Sequence, residues 1–411
     1  MEMKTRLEKF AQLAVKVGVN VQKGQLLMIN APVDAKEFVR LLVKAAYEAG
    51  ASDVMVRWSD AIVNKEWYLH VDEAELENVK SWVIDQLKYV VDKGGCVISV
   101  SSPNPGVLKD VPGQRLQKAS LAASKATKFY SEHMMANKAQ WLVISAPNED
   151  WAKKVYPDME AGAAVEKLWD AILTASRVLE TNDPIEEWNN HMAKMARNNA
   201  ILNGHRFKTL HFKNGLGTDL SIQLAEDHIW AGGGEHSEKG IEFAPNIPTE
   251  EAFTIAYKYG VNGKVVSTKP LNYQGKLIED FYLVFKDGKV VEFDAKKEKE
   301  ALANLLDTDE GSRYLGEVAL VEHDSPISST GILFYNTLFD ENASCHLALG
   351  ASYSMNLKGG TAMTKEELEK RGANQSLVHV DFMFGSHDME IVGEKANGEK
   401  VTIFKNGNFA F

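Results

Sequence analysis

The chain has 411 residues, of which 45% are hydrophobic and 25% charged, and carries a formal net charge of -11. That length exceeds one ordinary hydrophobic core, so two domains are expected. The acidic balance argues against a nucleic-acid partner, and no stretch approaches the roughly 18 apolar residues of a membrane span. The only cysteines, Cys96 and Cys345, do not suggest a disulfide scaffold and fit a reducing compartment. The first residues, MEMKTRLEKFAQLAV, lack a signal-peptide pattern, so a cytoplasmic location is expected.

Taken in order, Lys4 to Gly18 reads as an amphipathic helix, with Leu7, Phe10, Ala11 and Ala14 on one side. QLLMIN (Gln25 to Asn30) is a short apolar strand, and Ala35 to Ala49 a helix ended by Gly50. DVMVRW (Asp53 to Trp58) is the next strand. A long helix is predicted from Asp72 to Lys93, then the strand CVISVS (Cys96 to Ser101), a helix over Gly113 to Met135, and the strand QWLVISAP (Gln140 to Pro147). Four apolar strands separated by helices predict a parallel sheet covered on both faces. The turn APVDAKE after the first strand has no Gly-x-Gly-x-x-Gly, and GLGTD (Gly215 to Asp219) lies between two strand-like runs, so no nucleotide cofactor is expected.

Helical pattern continues from Ala161 to about Asn203, broken at Asn182-Asp183-Pro184. Beyond His205 the character changes. Thr209 to Ala225, Phe281 to Ala295 and Glu390 to Phe409 read as hairpins, the last two turning at Asp287-Gly288 and Asn397-Gly398. Short helices are expected over Lys296 to Leu306 and Lys365 to Arg371. The fold class is therefore α/β: an N-terminal parallel-sheet domain of Rossmann-like topology over 1–200, then an antiparallel-rich α+β domain over 201–411.

The second half holds the residues with chemistry. In LVHVDFMFG (Leu377 to Gly385), His379 and Asp381 alternate with Val378, Val380 and Phe382, so an imidazole and a carboxylate share one face of a strand. His346 lies in DENASCHLALGASY, an alanine-rich run that reads as a short helix starting near Asp340. On a continuous helix His346 and Tyr353 would share a face, unless Gly350 ends it first. Glu317 interrupts the apolar strand YLGEVALV, where it is either salt-bridged at an edge or a ligand. Glu250 and Glu251 in NIPTEEAFT stand between a proline-constrained loop and an apolar strand, and adjacent acids also suit a solvated turn. A lone histidine on an apolar helix is commonly core, and Cys345 beside His346 reads as small core packing rather than a nucleophile.

Together these segments resemble one family. NIPTEE-x-F-T, the Gly-Glu-Val-Ala-Leu-Val strand, LFDENASCHLALG-x-x-Y and VHVDFMFGS are similar to the metal-dependent aminopeptidases related to aminopeptidase T, aminopeptidase S and PepS. The resemblance spans both halves in the same order, and no HExxH of the gluzincin type is present. It implies that Glu251, Glu317, His346, His379 and Asp381 surround two divalent metal ions (zinc, cobalt or manganese), with Tyr353 beside them. It also implies a cytoplasmic homodimer acting on peptides with a free N-terminus. The expected reaction is release of the N-terminal amino acid, with Tyr353 ligating or donating to the oxyanion and Glu250 or Glu341 moving the proton. The competing expectations are another metallohydrolase such as an amidase, or an inactive small-molecule binder of the same fold.

Overall fold

The computed structural model describes residues 2–274 and 276–411. Contacts divide the chain into two compact units, Met1–His191 with Gly234–Pro248, and Met192–Gly233 with Thr249–Phe411.

The first unit alternates strand and helix. α1 (Glu2–Leu13) runs on into a π turn at Ala14–Gly18, followed by β1 (Leu26–Pro32), α2 (Lys36–Glu48) and β2 (Asp53–Ser59). Then come α3 (Ala61–His70), α4 (Glu73–Leu76), α5 (Ser81–Asp92), β3 (Cys96–Ser101), α6 (Gly113–Ala126), α7 (Lys128–Met135) and β4 (Trp141–Ser145). The four strands form a sheet in the order β2-β1-β3-β4, parallel throughout. Leu27, Met28, Ile29 and Ile98 are fully buried in it, as expected of strands covered on both faces. α8 (Glu149–Val155) and α9 (Ala161–Ala175) follow, and α10 (Pro184–His205) carries the chain into the second unit.

Two helices are shorter than their sequence pattern. The single helix expected over Asp72 to Lys93 is α4 and α5 with a loop between, in which the Asn78 side chain donates to the Glu75 carboxylate at 3.2 Å. The helix expected over Gly113 to Met135 is interrupted at Thr127, whose hydroxyl donates to the Ala123 carbonyl at 2.9 Å.

The second unit is mostly antiparallel. Its strands are β5 (Thr209–Lys213), β6 (Asp219–Leu224), β9 (Ala252–Thr254), β10 (Ala256–Val266), β11 (Leu271–Tyr273), β12 (Lys276–Lys286) and β13 (Lys289–Lys297), the short pair β7 (Glu235–His236) and β8 (Glu242–Phe243) belonging to the first unit. After α11 (Lys299–Leu306) come β14 (Leu315–Leu320), α12 (Thr337–Asp340), β15 (His346–Gly350), α13 (Lys365–Lys370), β16 (His379–Met383), β17 (Glu390–Glu394), β18 (Lys400–Lys405) and β19 (Asn408–Phe409). A nine-stranded sheet runs β11-β12-β10-β6-β5-β17-β18-β19 with β13 on β12, and a four-stranded sheet runs β16-β15-β14-β9. The β12–β13 hairpin turns at Asp287 and Gly288, both at positive φ, as a two-residue turn of the favoured hand demands.

The four-stranded sheet is an apolar partition. Val318, Leu320, Leu347, Leu349 and Phe382 project from one face into the main core of the unit. His346 begins a strand here, not a helix, because the alanine-rich run pairs on both sides, with β14 and with β16. Pairing of both backbone edges outweighs the local helix preference of Ala and Leu.

Gly350 closes β15 at φ +107, and a Cβ there would stand 2.0 Å from the Val378 carbonyl oxygen. Gly350→Ala therefore has to open the β15–β16 pairing where His379 sits opposite. We expect it to destabilise the fold by about 2 kcal/mol or more in urea titrations, and an unchanged midpoint would contradict this.

Candidate metal centre

The other face of the four-stranded sheet carries the polar groups, and strand register explains why. Phe253, Ala319 and His346 form one row across the strands, Glu317, Ala348 and Asp381 the next, and Gly350 and His379 the third. Side chains two apart share a face. His346, Ala348, Glu317, Ala319, His379 and Asp381 thus point the same way, and Glu251 joins them two residues before Phe253. Alanines at 319 and 348 leave room between the longer polar groups. A bulge between Leu315 and Glu317 leaves Gly316 unpaired and sets the aim of Glu317. Gly316 fits because a Cβ there would lie 2.2 Å from the Ala351 carbonyl oxygen.

The five predicted donors converge. His346 Nε2 lies 3.1 Å from Glu251 Oε2 and 3.5 Å from Glu317 Oε1. His379 Nε2 lies 3.7 Å from Glu317 Oε2 and 3.4 Å from Asp381 Oδ1. Among the described residues this makes two donor groups, Glu251–Glu317–His346 and Glu317–His379–Asp381, each with its ligand atoms within 4.8 Å of one another. Glu317 belongs to both, and its two oxygens face different imidazoles.

The surroundings suit cations. His346 Nδ1 donates to the Ser344 carbonyl at 3.1 Å and His379 Nδ1 to the Ala351 carbonyl at 2.7 Å. Each contact requires Nδ1–H, which turns Nε2 toward the carboxylates, the arrangement that orients a metal-ligating imidazole. Asp381 Oδ1 is buried without a hydrogen-bond donor. A set of carboxylates and imidazoles with an unsatisfied buried oxygen fits divalent metal ions.

Burial is the largest influence on these groups and pushes Glu317 up to about 7. It pulls the imidazoles down, but hydrogen bonds from His346 to Glu251 and Glu317 lift that ring well above its ordinary value. Asp381 does the same for His379, lifting it to about 9. Burial also opposes ionisation of Asp381, yet the close approach of His379 and the charge of His346 hold its carboxyl below the usual value.

The remaining predicted residues divide. Glu341 faces the cluster, and burial, then the charges of Glu251 and Asp381, raise its carboxyl well above the ordinary range. The Glu250 backbone N–H donates to Asn342 Oδ1 at 2.8 Å, which fixes the loop that presents Glu251. Tyr353 is 40% exposed and its ring tilts over His379 with centroids 4.5 Å apart. Burial of its hydroxyl, then the charges of Glu317 and Asp381, keep the phenol protonated and able to donate. Cys345 is a core residue: its thiol bonds to the Val321 carbonyl at 3.3 Å, and burial pushes it up to about 11. His323 and His387 pack on each other 6.1 Å apart and join neither donor group. Sequence reading overlooked Asn342, fully buried and bonded to both the Glu250 N–H and the Leu338 carbonyl. Its place in LFDENAS, beside Glu341, was the available signal. Volume alone does not locate the site. The first unit has a groove of ≈ 580 Å³ lined largely by α1 and α2, whereas the pocket reaching His379 and Asp381 is ≈ 220 Å³.

The chain is similar along its whole length to known proteins. The family described as thermophilic metalloprotease (M29) matches residues 3–409. Aminopeptidase AmpS of Bacillus subtilis is 47% identical over 99% of this chain and 98% of its own length. Aminopeptidase 2 of Geobacillus stearothermophilus is 45% identical over 98% of each. The structure of wild-type AmpT from Thermus thermophilus superposes with a TM-score of 0.92 at 38% identity, covering 100% of both chains.

The pKa directions predict how metal and protons compete. Both imidazoles are raised above their unfolded value of roughly 6.5, so their ion pairs stabilise the metal-free fold fully below that pH. That contribution is lost as pH rises through the folded values, about 9 for His379. Metal must displace those protons, so its affinity should rise by about tenfold per pH unit for each proton released. Chelator-treated protein should lose thermal stability between pH 7 and 9.5 while metal-loaded protein does not. Calorimetry showing the same pH dependence for both forms would refute the competition.

Proposed function

The chain belongs to the thermophilic metalloprotease family M29, and we propose that it works as a dinuclear aminopeptidase whose two ions are held by Glu251, Glu317, His346, His379 and Asp381. It is a metalloaminopeptidase, acting on peptides. The observation that carries the proposal is the convergence of five donors on one sheet face, with Glu317 shared between the two groups. That sharing supports Glu317 as the bridging carboxylate. Zinc, cobalt and manganese all suit the donor set. The catalytic role falls to the domain over 201–411, with the domain over 1–200 supporting it. Two buried free cysteines favour a cytoplasmic location, and the family resemblance favours a homodimer.

Bound ions would polarise the scissile carbonyl and lower the pKa of an attacking water. The chain does the rest. The carboxylates beside the metal-held face also suit a substrate's cationic α-amine, which restricts cleavage to the first peptide bond. Glu341, whose burial strengthens its hold on a proton, would in its carboxylate form take a proton from the water and then deliver it to the leaving amine. Glu250, held by Asn342, is the alternative carrier. The Tyr353 hydroxyl, beside His379, donates to the oxyanion of the tetrahedral intermediate or takes a place among the ligands.

Chelator-stripped protein should be inactive on leucine-, arginine- and tyrosine-arylamides and recover on adding zinc, cobalt or manganese. Failure to restore cleavage of any of them would rule out the peptidase reading. N-acetylation of the substrate should abolish cleavage, whereas an amidase acting on blocked substrates would retain it. Glu317→Gln and His379→Ala should each abolish activity and lower the metal content found by elemental analysis. Glu341→Gln should keep its metal and lose about 10²-fold or more in kcat. If metal content and kcat fall together in that variant, Glu341 is a ligand and not the proton carrier.

A further inference from the structure

A pocket of ≈ 220 Å³ opens against β16, walled by the start of β12, by β11 and by the segment 333–340. His379 and Asp381 contribute to its wall, while Glu251, Glu317 and His346 do not. It therefore adjoins one end of the donor cluster. β16 is the outer strand of its sheet. The Ala351 N–H bonds to the Val378 carbonyl and the Phe384 N–H to the Cys345 carbonyl, so the even-numbered residues face β15. The backbone groups of His379 and Asp381 consequently turn outward, and among the described residues no strand pairs with β16 on that side. The Met383 carbonyl turns the same way and is met by the Thr268 N–H.

From this we infer that the pocket is the side-chain subsite for the substrate's N-terminal residue, whose extended backbone lies along the free edge of β16. The inference rests on the peptidase reading above and adds a substrate class to it: uncharged side chains of intermediate size, apolar ones foremost. A main chain laid on this edge meets the outward N–H and C=O groups of His379 and Asp381, which places its first carbonyl beside the donor cluster. Its side chain then enters a space walled by Leu271, Leu277, Leu333, Tyr335 and Met383. The volume accommodates one aliphatic or aromatic side chain and not an extended peptide.

Charge in the wall decides the selectivity. The one carboxylate there besides Asp381 is Asp340. Its Oδ1 accepts from the Phe334 N–H at 2.8 Å and its Oδ2 from the Asn336 N–H at 3.0 Å. Both oxygens are committed to folding the 333–340 segment, so Asp340 is a poor partner for an incoming lysine or arginine. The nearby Lys269 offsets its charge. A charged side chain would enter largely unpaired, which is costly in so confined a space.

The test uses metal-loaded full-length protein and the dipeptides Ala-Gly, Leu-Gly, Phe-Gly, Lys-Gly, Glu-Gly and Gly-Leu. Wild type should cleave Leu-Gly and Phe-Gly faster, by kcat/KM, than Lys-Gly and Glu-Gly. Leu277→Trp narrows the pocket and should lower kcat/KM for Leu-Gly and Phe-Gly by about tenfold or more while leaving Ala-Gly within about threefold. Leu333→Ala widens it and should raise the Phe-Gly to Ala-Gly ratio, and it decides alone if Leu277→Trp fails to fold by circular dichroism. Preference for Lys-Gly, equal losses on all dipeptides, or an effect on Gly-Leu in place of Leu-Gly overturns the subsite assignment. Wild type that cleaves no dipeptide overturns the peptidase reading itself, a result distinct from cleavage without the expected selectivity.

Discussion

Three carboxylates share one buried sheet face, and the rest of the site follows from that crowding. Two like charges about 4 Å apart in partly buried surroundings repel by about 4 kcal/mol. The ion-pair partners of Glu251, Glu317 and Asp381 are His346 and His379, with no lysine or arginine pairing with them among the described residues. Imidazoles alone neutralise such a set only while protonated. Their Nδ1–H groups are already given to backbone carbonyls, so the Nε2 positions must serve the carboxylates in every protonation state. An arrangement that is uncomfortable without external cations, and orderly with them, is what a metal site requires. The same groups placed for stability would be paired with arginines or replaced by apolar residues.

The opposite face supplies the rigidity. Val318, Leu347 and Phe382 alternate with Glu317, His346 and Asp381 along three strands, and each is fully buried in the main core. One-residue slippage of any strand would exchange the two sets, driving leucines out and carboxylates into hydrocarbon. The apolar side therefore fixes the register, and the register fixes the ligands. Ala319 and Ala348 contribute by being small, and the bulge at Gly316 corrects the aim of Glu317 within an otherwise regular ladder. The donors sit on strands or at their ends, which holds them more tightly than flexible loops would.

How much of this was legible in the sequence depends on whether a residue's role is local. The parallel sheet was readable because each strand is a continuous apolar run, and β3 falls at the expected Cys96–Ser101. His379 and Asp381 were readable because period-two alternation is a property of five consecutive residues. His346 was misread as helical. The alanines around it signal helix by propensity, yet Ala348 is there to make space between Glu317 and Asp381, a requirement set by two other strands. Glu251 offers no local signature at all, since it precedes a three-residue strand and reaches the cluster only through pairing of β9 with β14. Family resemblance found it where pattern could not. The breaks in the helices fall at Asn78 and Thr127, whose side chains make local bonds, to the Glu75 carboxylate and the Ala123 carbonyl, that helical periodicity does not register.

The division of labour between Glu341 and its neighbours follows from the order of the forces on it. Burial is the largest influence raising its carboxyl, and the charges of Glu251, Asp381 and Glu317 add to it. Compensating those charges with divalent cations removes the smaller contributions and leaves the largest, because burial does not depend on its neighbours' charge. Burial alone thus keeps the Glu341 carboxyl raised above the ordinary range. The five candidate ligands would respond differently, since a bound cation would displace their protons outright. One sheet face with one neighbouring carboxylate thus presents two kinds of acid: those paired with imidazoles, and one raised by burial, to which the proposed mechanism gives the proton transfer.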